Sequence, residues 1–82
     1  MIRELDTIVL AKDIEKYPLK HGDIGAVVHC YKNNVAYEVE FVTAIGMTVA
    51  VLTLTPADIR PVYSEEILHV RPLKSLSMKA FA

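Results

Sequence analysis

The chain of 82 residues contains one cysteine and no tryptophan. A single cysteine excludes an internal disulfide as well as four-Cys and Cys₂His₂ zinc sites. No apolar run reaches the roughly 20 residues that a membrane-spanning helix needs, and the first residues lack the charged and then apolar pattern of a secretory signal. We therefore expect a cytoplasmic protein that holds no metal and no cofactor.

The sequence also lacks a large excess of charge of either sign. Nine Lys and Arg against ten Asp and Glu leave a net charge of −1 at pH 7, which excludes a polycationic arm or an acidic tail as the dominant feature. The charge is unevenly placed, because residues 1–66 carry six basic and ten acidic side chains and residues 67–82 carry three basic and no acidic ones. With 52% hydrophobic residues, the chain is able to bury the core of one small domain.

Short apolar segments rich in Val, Ile, Thr and Tyr, separated by turn residues, predict β structure. The clearest is the segment 37–41, in which Tyr37, Val39 and Phe41 alternate with two glutamates, the pattern of a half-buried strand. We predict five strands and a sixth near the end of the chain. They cover Thr7–Leu10, Ile24–Tyr31, Ala36–Thr43, Thr48–Leu54, Ile59–Val62 and Ile67–Arg71.

The segments between the predicted strands contain residues that are typical of loops and turns. Residues 12–23 predict a long polar loop, and Asn33 with Asn34 favours a tight hairpin because Asn tolerates left-handed backbone angles. Residues 55–58, which include Pro56, suit a short 3₁₀ turn before the fifth strand. Together these elements predict an all-β fold, a small SH3-like barrel of five or six antiparallel strands over residues 1–73. Residues 74–82 are expected to form a C-terminal tail.

Five ordered blocks of sequence resemble a known family of small bacterial proteins, catalogued as domain of unknown function family 4926. The resemblance extends over about residues 5–73, and it implies a compact SH3-like barrel without catalytic residues. It also implies a neighbouring partner gene for many members and an antitoxin-like role for some. The segment from Gly22 to Val27 is in addition similar to the opening of a KOW-type barrel. The five blocks are residues 5–10, 22–29, 36–41, 58–62 and 67–71.

Two pairs of residues invite a catalytic interpretation. Cys30 follows His29, but adjacent side chains in a strand point to opposite faces, so the two are not expected to form a nucleophile–base pair. On this alternation Cys30 shares a face with Ala26 and Val28, and His29 shares one with Val27 and Tyr31. Glu38 and Glu40 lie about 7 Å apart on one face. A solvated face with oppositely charged cross-strand partners is expected there, because a small barrel has no deep pocket to raise a carboxyl pKa.

Histidine and glycine patterns also favour structural roles. His21, His29 and His69 come from remote segments, so we expect no metal site. Gly22 and Gly25 lack the Lys and Ser or Thr of a phosphate-binding loop and the third glycine of a dinucleotide loop. We expect Gly22 to supply a positive φ at a turn and Gly25 to allow strands to approach closely.

The segment Thr48–Leu54 is apolar on both of its alternating faces. A barrel fills its interior from one face of each strand, so either Val49 and Val51 or Ala50 and Leu52 need a cover. The C-terminal segment Ile67–Leu73, a second copy of the chain and a different protein are the three candidates, because large exposed apolar patches mark interaction sites.

We therefore expect a non-enzymatic protein-interaction module with a protein partner or self-association, no membrane contact and no small-molecule substrate. Pro61 and Pro72 are expected to limit pairing along parts of the sheet edge. Two alternatives stay open: an antitoxin of a toxin–antitoxin pair, and a KOW-like module that binds RNA or single-stranded DNA. The acidic surplus before residue 67 weakens the second. The candidate association residues are Val49, Val51, Leu68 and Val70, and the candidate mouth-site residues are Tyr17, Tyr31 and Lys32.

Overall fold

The computed structural model describes residues 2–73, which form one antiparallel sheet. The strand order is β4-β3-β2-β1-β5, which confirms the all-β class and five antiparallel strands. The predicted tail over residues 74–82 lies outside the described part of the chain. Residues 2–73 contain no helix long and apolar enough to cross a membrane. The strands are β1 (Thr7–Leu10), β2 (Ile24–Cys30), β3 (Tyr37–Val42), β4 (Thr48–Leu54) and β5 (Ile59–Pro61).

The sheet is open rather than closed into the predicted barrel. Within residues 2–73, β4 pairs with β3 alone and β5 with β1 alone. The sixth strand predicted over Ile67–Arg71 is also wrong, because these residues have no strand conformation. The physical reason lies in β5, which is three residues long and ends at Pro61. Proline has no N–H to donate, so this edge offers little to a following strand.

The core lies on one face of the sheet. In β3, Tyr37, Val39 and Phe41 are buried while the two intervening glutamates are half-buried on the other face, as the alternation predicts. Leu19, from the loop between β1 and β2, also packs into this core. Buried apolar side chains of this kind are the main favourable contribution to folding. The strand residues that complete the cluster are Ile8, Leu10, Val27, Ala50, Leu54 and Ile59.

Two glycines have the roles that the sequence predicts. Gly22 has a φ of 97° at the turn into β2, a left-handed angle that glycine adopts without steric strain. Gly25 lies under the side chains of β3: a Cβ atom there would be 2.7 Å from Val39 Cγ1 and 2.8 Å from Phe41 Cε1. The close approach of the β3 side chains to β2 therefore depends on the missing side chain of Gly25.

The connections follow the turn chemistry of the sequence. Asn33 and Asn34 have φ angles of 62° and 54° within the 3₁₀ segment Lys32–Asn34, where asparagine tolerates the left-handed region. Before β5, the Asp58 N–H donates to the Thr55 carbonyl at 2.9 Å, which makes one i to i+3 turn. The Asp58 carboxylate accepts the Thr55 N–H at 2.9 Å. This turn brings β5 back alongside β1.

A β-bulge in β2 changes the direction of the side chains that follow it. The β2–β3 register shifts between Val27 and His29, so the extra residue Val28 is exposed and Cys30 packs against the core. The predicted face for Cys30, shared with Ala26 and Val28, is therefore wrong. An inserted residue breaks the period-two alternation on which that prediction rests.

Candidate interaction surface

Strand β4 is a free edge of the sheet. It is hydrogen-bonded to β3 on one side, and no strand of the described residues pairs with its other side. An edge strand presents unpaired backbone N–H and C=O groups, which most proteins protect with charge, proline or short length. The strand β4 has seven residues with no charge and no proline. The opposite edge, β5, has three residues and includes both Arg60 and Pro61.

The side chains of β4 divide between the two faces of the sheet. Ala50 and Leu54 are buried in the core. Leu52 lies between them on the same face but is only half-buried, because no further strand covers the edge. Val51 points away from the core and is 48% exposed. The sequence left open which residues of β4 face outward. Ala50 and Leu52 face the core, and Val51 faces outward.

Val49 departs from this alternation. The β3–β4 register shifts between Phe41 and Val42, so Phe41 pairs with Ala50 and Val42 with Thr48, and Val49 is the bulged residue. Its side chain is half-buried against the core. The rest of β4, from Ala50 to Leu54, keeps a regular register with β3. The bulge therefore affects only the start of the edge.

Three more exposed apolar side chains lie near β4: Val42 at the end of β3, and Ile45 and Met47 in the turn that joins β3 to β4. We call these three residues together with Val51 the β4 surface. No residue from Phe41 to Ala57 is charged, so the β4 surface and the strand edge beside it are apolar and carry no cation. The charges that border Val51 on the outward face are the carboxylates of Glu38 and Glu40. The association residues predicted from the sequence did not include any residue of this turn, although the uncharged run from Phe41 to Ala57 is visible in the sequence.

The predicted association residues fall in two places. Val49 and Val70 line one mostly apolar groove of about 350 Å³, together with Ile24 and Phe41. Val51 and Leu68 are exposed and do not line it. Residues 69–71 line this groove together with Val49, but Val70 itself is exposed, and Val51 is exposed as well. Within residues 2–73, the outward face of β4 is therefore without a cover.

Two ion pairs hold the segment after β5 on the sheet. In the first, Arg60 donates to both carboxylate oxygens of Glu66 at 2.8 and 2.7 Å, and the Tyr63 N–H donates to Glu66 at 2.7 Å. The Arg60 guanidinium and then the Tyr63 N–H lower the pKa of Glu66 to about 2, because both favour the charged carboxylate. The guanidinium carbon also lies 5.0 Å from the centre of the Tyr63 ring.

The second ion pair joins Arg71 to the start of β2. Arg71 donates to the Asp23 carboxylate through Nε, at 2.8 Å, and through Nη2, and it also donates to the Pro18 carbonyl at 2.8 Å. Burial acts to raise the pKa of Asp23, but the Arg71 guanidinium and the Lys20 N–H outweigh it, so the pKa is lowered. This ion pair holds residues 69–73 beside the apolar groove.

The predicted mouth-site residues have separate surroundings. Tyr31 packs edge-to-face on His29, with ring centroids 4.8 Å apart, and Lys32 is exposed beside it. Tyr17 is half-buried against the core, with the Lys16 ammonium 5.9 Å from its ring centre. Within residues 2–73, the aromatic contact of Tyr31 is with His29 and not with Tyr17.

Three basic side chains of residues 2–73 are paired with carboxylates. Lys12 contacts the Asp58 carboxylate at 2.9 Å, Arg60 pairs with Glu66, and Arg71 pairs with Asp23. Nucleic-acid binding depends on cations that are free to neutralise phosphates. Three of the cations in the described residues are instead neutralised by carboxylates of the same chain.

The residue pairs considered for catalysis are held apart or otherwise engaged. Cys30 Sγ points toward the Ile2 carbonyl at 4.0 Å, whereas His29 is exposed, with Nδ1 3.6 Å from a Glu4 oxygen. Burial, followed by the charges of Glu4 and Asp6, raises the pKa of the Cys30 thiol, which disfavours the nucleophilic thiolate.

The glutamates of β3 have hydroxyl partners. The Thr53 hydroxyl donates to Glu38, and the Thr48 hydroxyl donates to Glu40 at 2.8 Å. The predicted oppositely charged cross-strand partners are therefore wrong. Strand β4 has no basic residue, and in β2 the residue opposite Glu40 is Ala26, while His29, opposite Glu38, lies beside Glu4. No three His, Cys, Asp or Glu side chains come together as a metal site in the part of the chain that the structure describes.

Comparison with known proteins gives a family and no characterised relative. A protein-family model matches residues 4–61, and it is described as a domain of unknown function (DUF4926). The match includes all five strands of the sheet. No curated protein and no solved structure matches the chain.

Proposed function

This chain belongs to the family described as a domain of unknown function (DUF4926), and from that starting point we propose a non-enzymatic protein-interaction module. It binds an extended segment of a partner protein along the free edge of β4. The single observation that carries the proposal is the seven-residue edge strand without charge or proline, beside the exposed apolar side chains of the β4 surface.

Backbone hydrogen bonds supply the attraction in this mode of binding. A strand added to β4 satisfies the N–H and C=O groups that the edge leaves unpaired. Its side chains alternate between the two faces of the sheet, as in any strand. On one face they cover the half-buried Leu52, and on the other they lie beside Val51. Specificity then comes from apolar contacts with the β4 surface.

The lack of cations in the run from Phe41 to Ala57 decides which partners this region suits. A segment with bulky apolar residues gains free energy when these residues leave water to contact Val42, Ile45 and Met47. A polyanion gains nothing from a surface without cations. The proposal therefore favours a protein over RNA or single-stranded DNA as the partner. An antitoxin is the special case in which the partner is a toxin.

The proposal includes a cytoplasmic location. The lone cysteine, Cys30, is a free thiol that packs partly against the core. Free thiols of this kind are usual where the compartment is reducing. It also includes the absence of catalysis, which the separation of His29 from Cys30 and the hydroxyl-bonded glutamates of β3 support.

The test compares one substitution at two exposed valines. Val51, on the edge strand, is 48% exposed and Val28, in β2, is 44% exposed. We isolate the tagged full-length chain from its native cells with its stoichiometric partner and then measure the affinity of the purified pair by calorimetry. Val51→Lys places a charge on the binding edge and is expected to weaken binding at least about tenfold. Val28→Lys is the matched control and is expected to leave the affinity unchanged.

Two results contradict the proposal. One is isolation of the chain alone at every salt concentration. The other is equal loss of affinity in the two lysine variants, which places the partner elsewhere on the sheet. Hydrogen exchange supplies an independent measure, because a bound strand is expected to slow the exchange of β4 amides and to leave those of β5 unchanged.

A further inference from the structure

We infer that the Asp23 carboxylate and the Pro18 carbonyl form a binding site for an arginine in an extended segment of a partner protein. Arg71 of this chain fills the site when no partner is bound. The segment that the site takes has an apolar residue two positions after its arginine. The site uses none of the unpaired backbone groups of β4, so this inference does not rest on the proposed function.

The arrangement of the acceptor atoms selects a guanidinium over an ammonium group. Arg71 donates through Nε to one carboxylate oxygen of Asp23 at 2.8 Å and through Nη2 to the other. The same Nη2 also donates to the Pro18 carbonyl at 2.8 Å. A guanidinium is planar and makes two parallel hydrogen bonds to a carboxylate, whereas a lysine ammonium is a point charge that does not. The site is therefore specific for arginine.

The two acceptors are held in place by contacts that do not involve Arg71. The Lys20 N–H donates to the Asp23 carboxylate at 2.8 Å, and the Asp23 N–H donates to the Lys20 carbonyl at 3.0 Å. Pro18 lies within residues 14–19, whose ends form an isolated β-bridge. A site that is ordered before its ligand arrives loses little conformational entropy on binding. The acceptors are therefore expected to stay in place when Arg71 leaves.

The segment that supplies Arg71 has few other contacts with the sheet. In the described part of the chain, residues 67–73 form no backbone–backbone hydrogen bond, and Ile67, Leu68 and Val70 are exposed. A segment with few buried contacts opens at a low free-energy cost. A partner segment with the same arginine contacts is therefore able to displace it.

The boundary of the family match separates the site from its occupant. Asp23 and Pro18 lie within residues 4–61, the part of the chain that belongs to the family, and Arg71 lies ten residues after that part ends. The acceptors are therefore part of the family's domain, whereas the arginine that fills them comes from outside it.

The apolar groove beside Asp23 supplies the second part of the recognition. The groove has a volume of about 350 Å³, and Ile24 and Phe41 are among the residues that line it. Leu73, two residues after Arg71, is half-buried and lines the same groove. A partner segment in this place puts its arginine on Asp23 and an apolar side chain, two positions later, in the groove. Burial of that side chain adds to the free energy of binding.

Peptide binding to the full-length Arg71→Gln chain tests the inference. The probe is a fluorescent synthetic peptide with the sequence of residues 67–73, blocked at both ends, and fluorescence anisotropy measures its affinity. Saturable binding to Arg71→Gln is expected. Binding to the wild-type chain is expected to be at least about tenfold weaker, because a tethered arginine competes at an effective concentration in the millimolar range. Equal binding to the two chains overturns the inference, and so does the absence of saturable binding to folded Arg71→Gln.

Two matched changes locate the bound peptide. Lysine in place of the peptide's arginine keeps the charge and is expected to weaken binding at least about tenfold, because the parallel hydrogen bonds are lost. In the Arg71→Gln background, Asp23→Asn is expected to abolish binding. Glu65→Gln, which removes the same charge at an exposed position, is expected to leave it unchanged. Equal affinity for the lysine peptide, or equal effects of the two added substitutions, contradicts a guanidinium site at Asp23.

The wild-type chain provides a test that does not require the variant to fold. NMR of the isotope-labelled wild-type protein follows the Nε–H groups of Arg71 and Arg60, and Arg60 is the internal control because it binds Glu66 instead. Millimolar unlabelled peptide is expected to move the Arg71 signal toward that of a free side chain and to leave the Arg60 signal unchanged. An Arg71 signal that stays in place, or that moves together with that of Arg60, overturns the inference.

The alternative source of the arginine is a second copy of this chain, and sedimentation equilibrium separates the two. A wild-type mass near the chain mass of 9.2 kDa is expected. A wild-type dimer that Asp23→Asn dissociates assigns the site to Arg71 of a second copy and overturns the inference. In the Arg71→Gln background, Val51→Lys is expected to leave peptide binding unchanged. Failure of this inference and failure of the proposed function therefore appear in different variants.

Discussion

The Arg71 guanidinium donates two hydrogen bonds to the carboxylate of Asp23, 48 positions earlier in the chain. The same guanidinium also reaches the Pro18 carbonyl, so one side chain joins the C-terminal segment to two points near the start of β2. The segment that it holds is otherwise exposed and has no strand partner, and Val70 is 89% exposed. Polar contacts, rather than burial, keep this segment on the sheet.

Loss of the Arg71 guanidinium is expected to release the segment. Arg71→Gln removes the ion pair and leaves the partly buried Asp23 carboxylate without its cation. A decrease of about 1–3 kcal/mol in the free energy of unfolding is expected, as for hydrogen bonds to charged groups. Urea denaturation measures it, with Arg3→Gln at an exposed position as the control. A decrease no larger than that of the control contradicts the role of the pair.

The same ion pair predicts a dependence of stability on pH. The pKa of Asp23 is below its ordinary value of 3.8 in the folded chain, so the folded state favours the carboxylate. Its contribution is therefore present above the unfolded pKa and is lost as the pH falls through the lowered folded value. The difference in unfolding free energy between wild type and Asp23→Asn is expected to be constant above about pH 5 and to shrink below about pH 4. A difference that already disappears near neutral pH contradicts a lowered pKa.

Gly25→Ala is expected to destabilise the fold by overpacking. The added Cβ meets Val39 and Phe41 at less than 3 Å, and extra atoms in a packed core destabilise by about 1–3 kcal/mol. Thermal denaturation measures the effect. In the double variant Gly25→Ala/Val39→Ala the new methyl group has room, so the combined loss is expected to be smaller than the sum of the single losses. Strict additivity of the two losses contradicts the steric explanation.

The Cys30 thiol is expected to react slowly with alkylating reagents. Burial raises its pKa, and the charges of Glu4 and Asp6 act in the same direction, so less of the thiolate is present at pH 8. A rate of iodoacetamide labelling at least about tenfold below that of an exposed cysteine is expected. The matched control is Val28→Cys in a Cys30→Ala chain, because residue 28 lies on the exposed side of the same bulge. Equal rates in the two proteins contradict the orientation of Cys30.

The side-chain direction or backbone angle of residues with strong local preferences was predictable from the sequence. The alternation of Tyr37, Val39 and Phe41 identifies the core face of β3, because a strand repeats its side-chain direction every two residues. Asn33 and Gly22 mark turns because their backbone tolerates positive φ. Each of these properties depends on a residue and its immediate neighbours, and the structure agrees with each of them.

The candidate surface was predictable only in part. The sequence indicates that Thr48–Leu54 is apolar on both faces, and therefore that one face needs a cover. It does not indicate which face, because the answer depends on the pairing of β4 with β3. The hairpin residues Ile45 and Met47 become part of the surface only through the shape of the turn and their exposure.

The sequence by itself determined the strands, their turns and the neutral run from Phe41 to Ala57, since these follow from side-chain periodicity, backbone preference and composition. Tertiary structure alone decided that β4 is an open edge, that the bulge at Val28 turns Cys30 to the core, and that the last described segment is not a strand. Each of these depends on contacts between distant residues, such as Arg71 with Asp23. The free energy of such contacts is set by geometry that no local pattern of residues encodes.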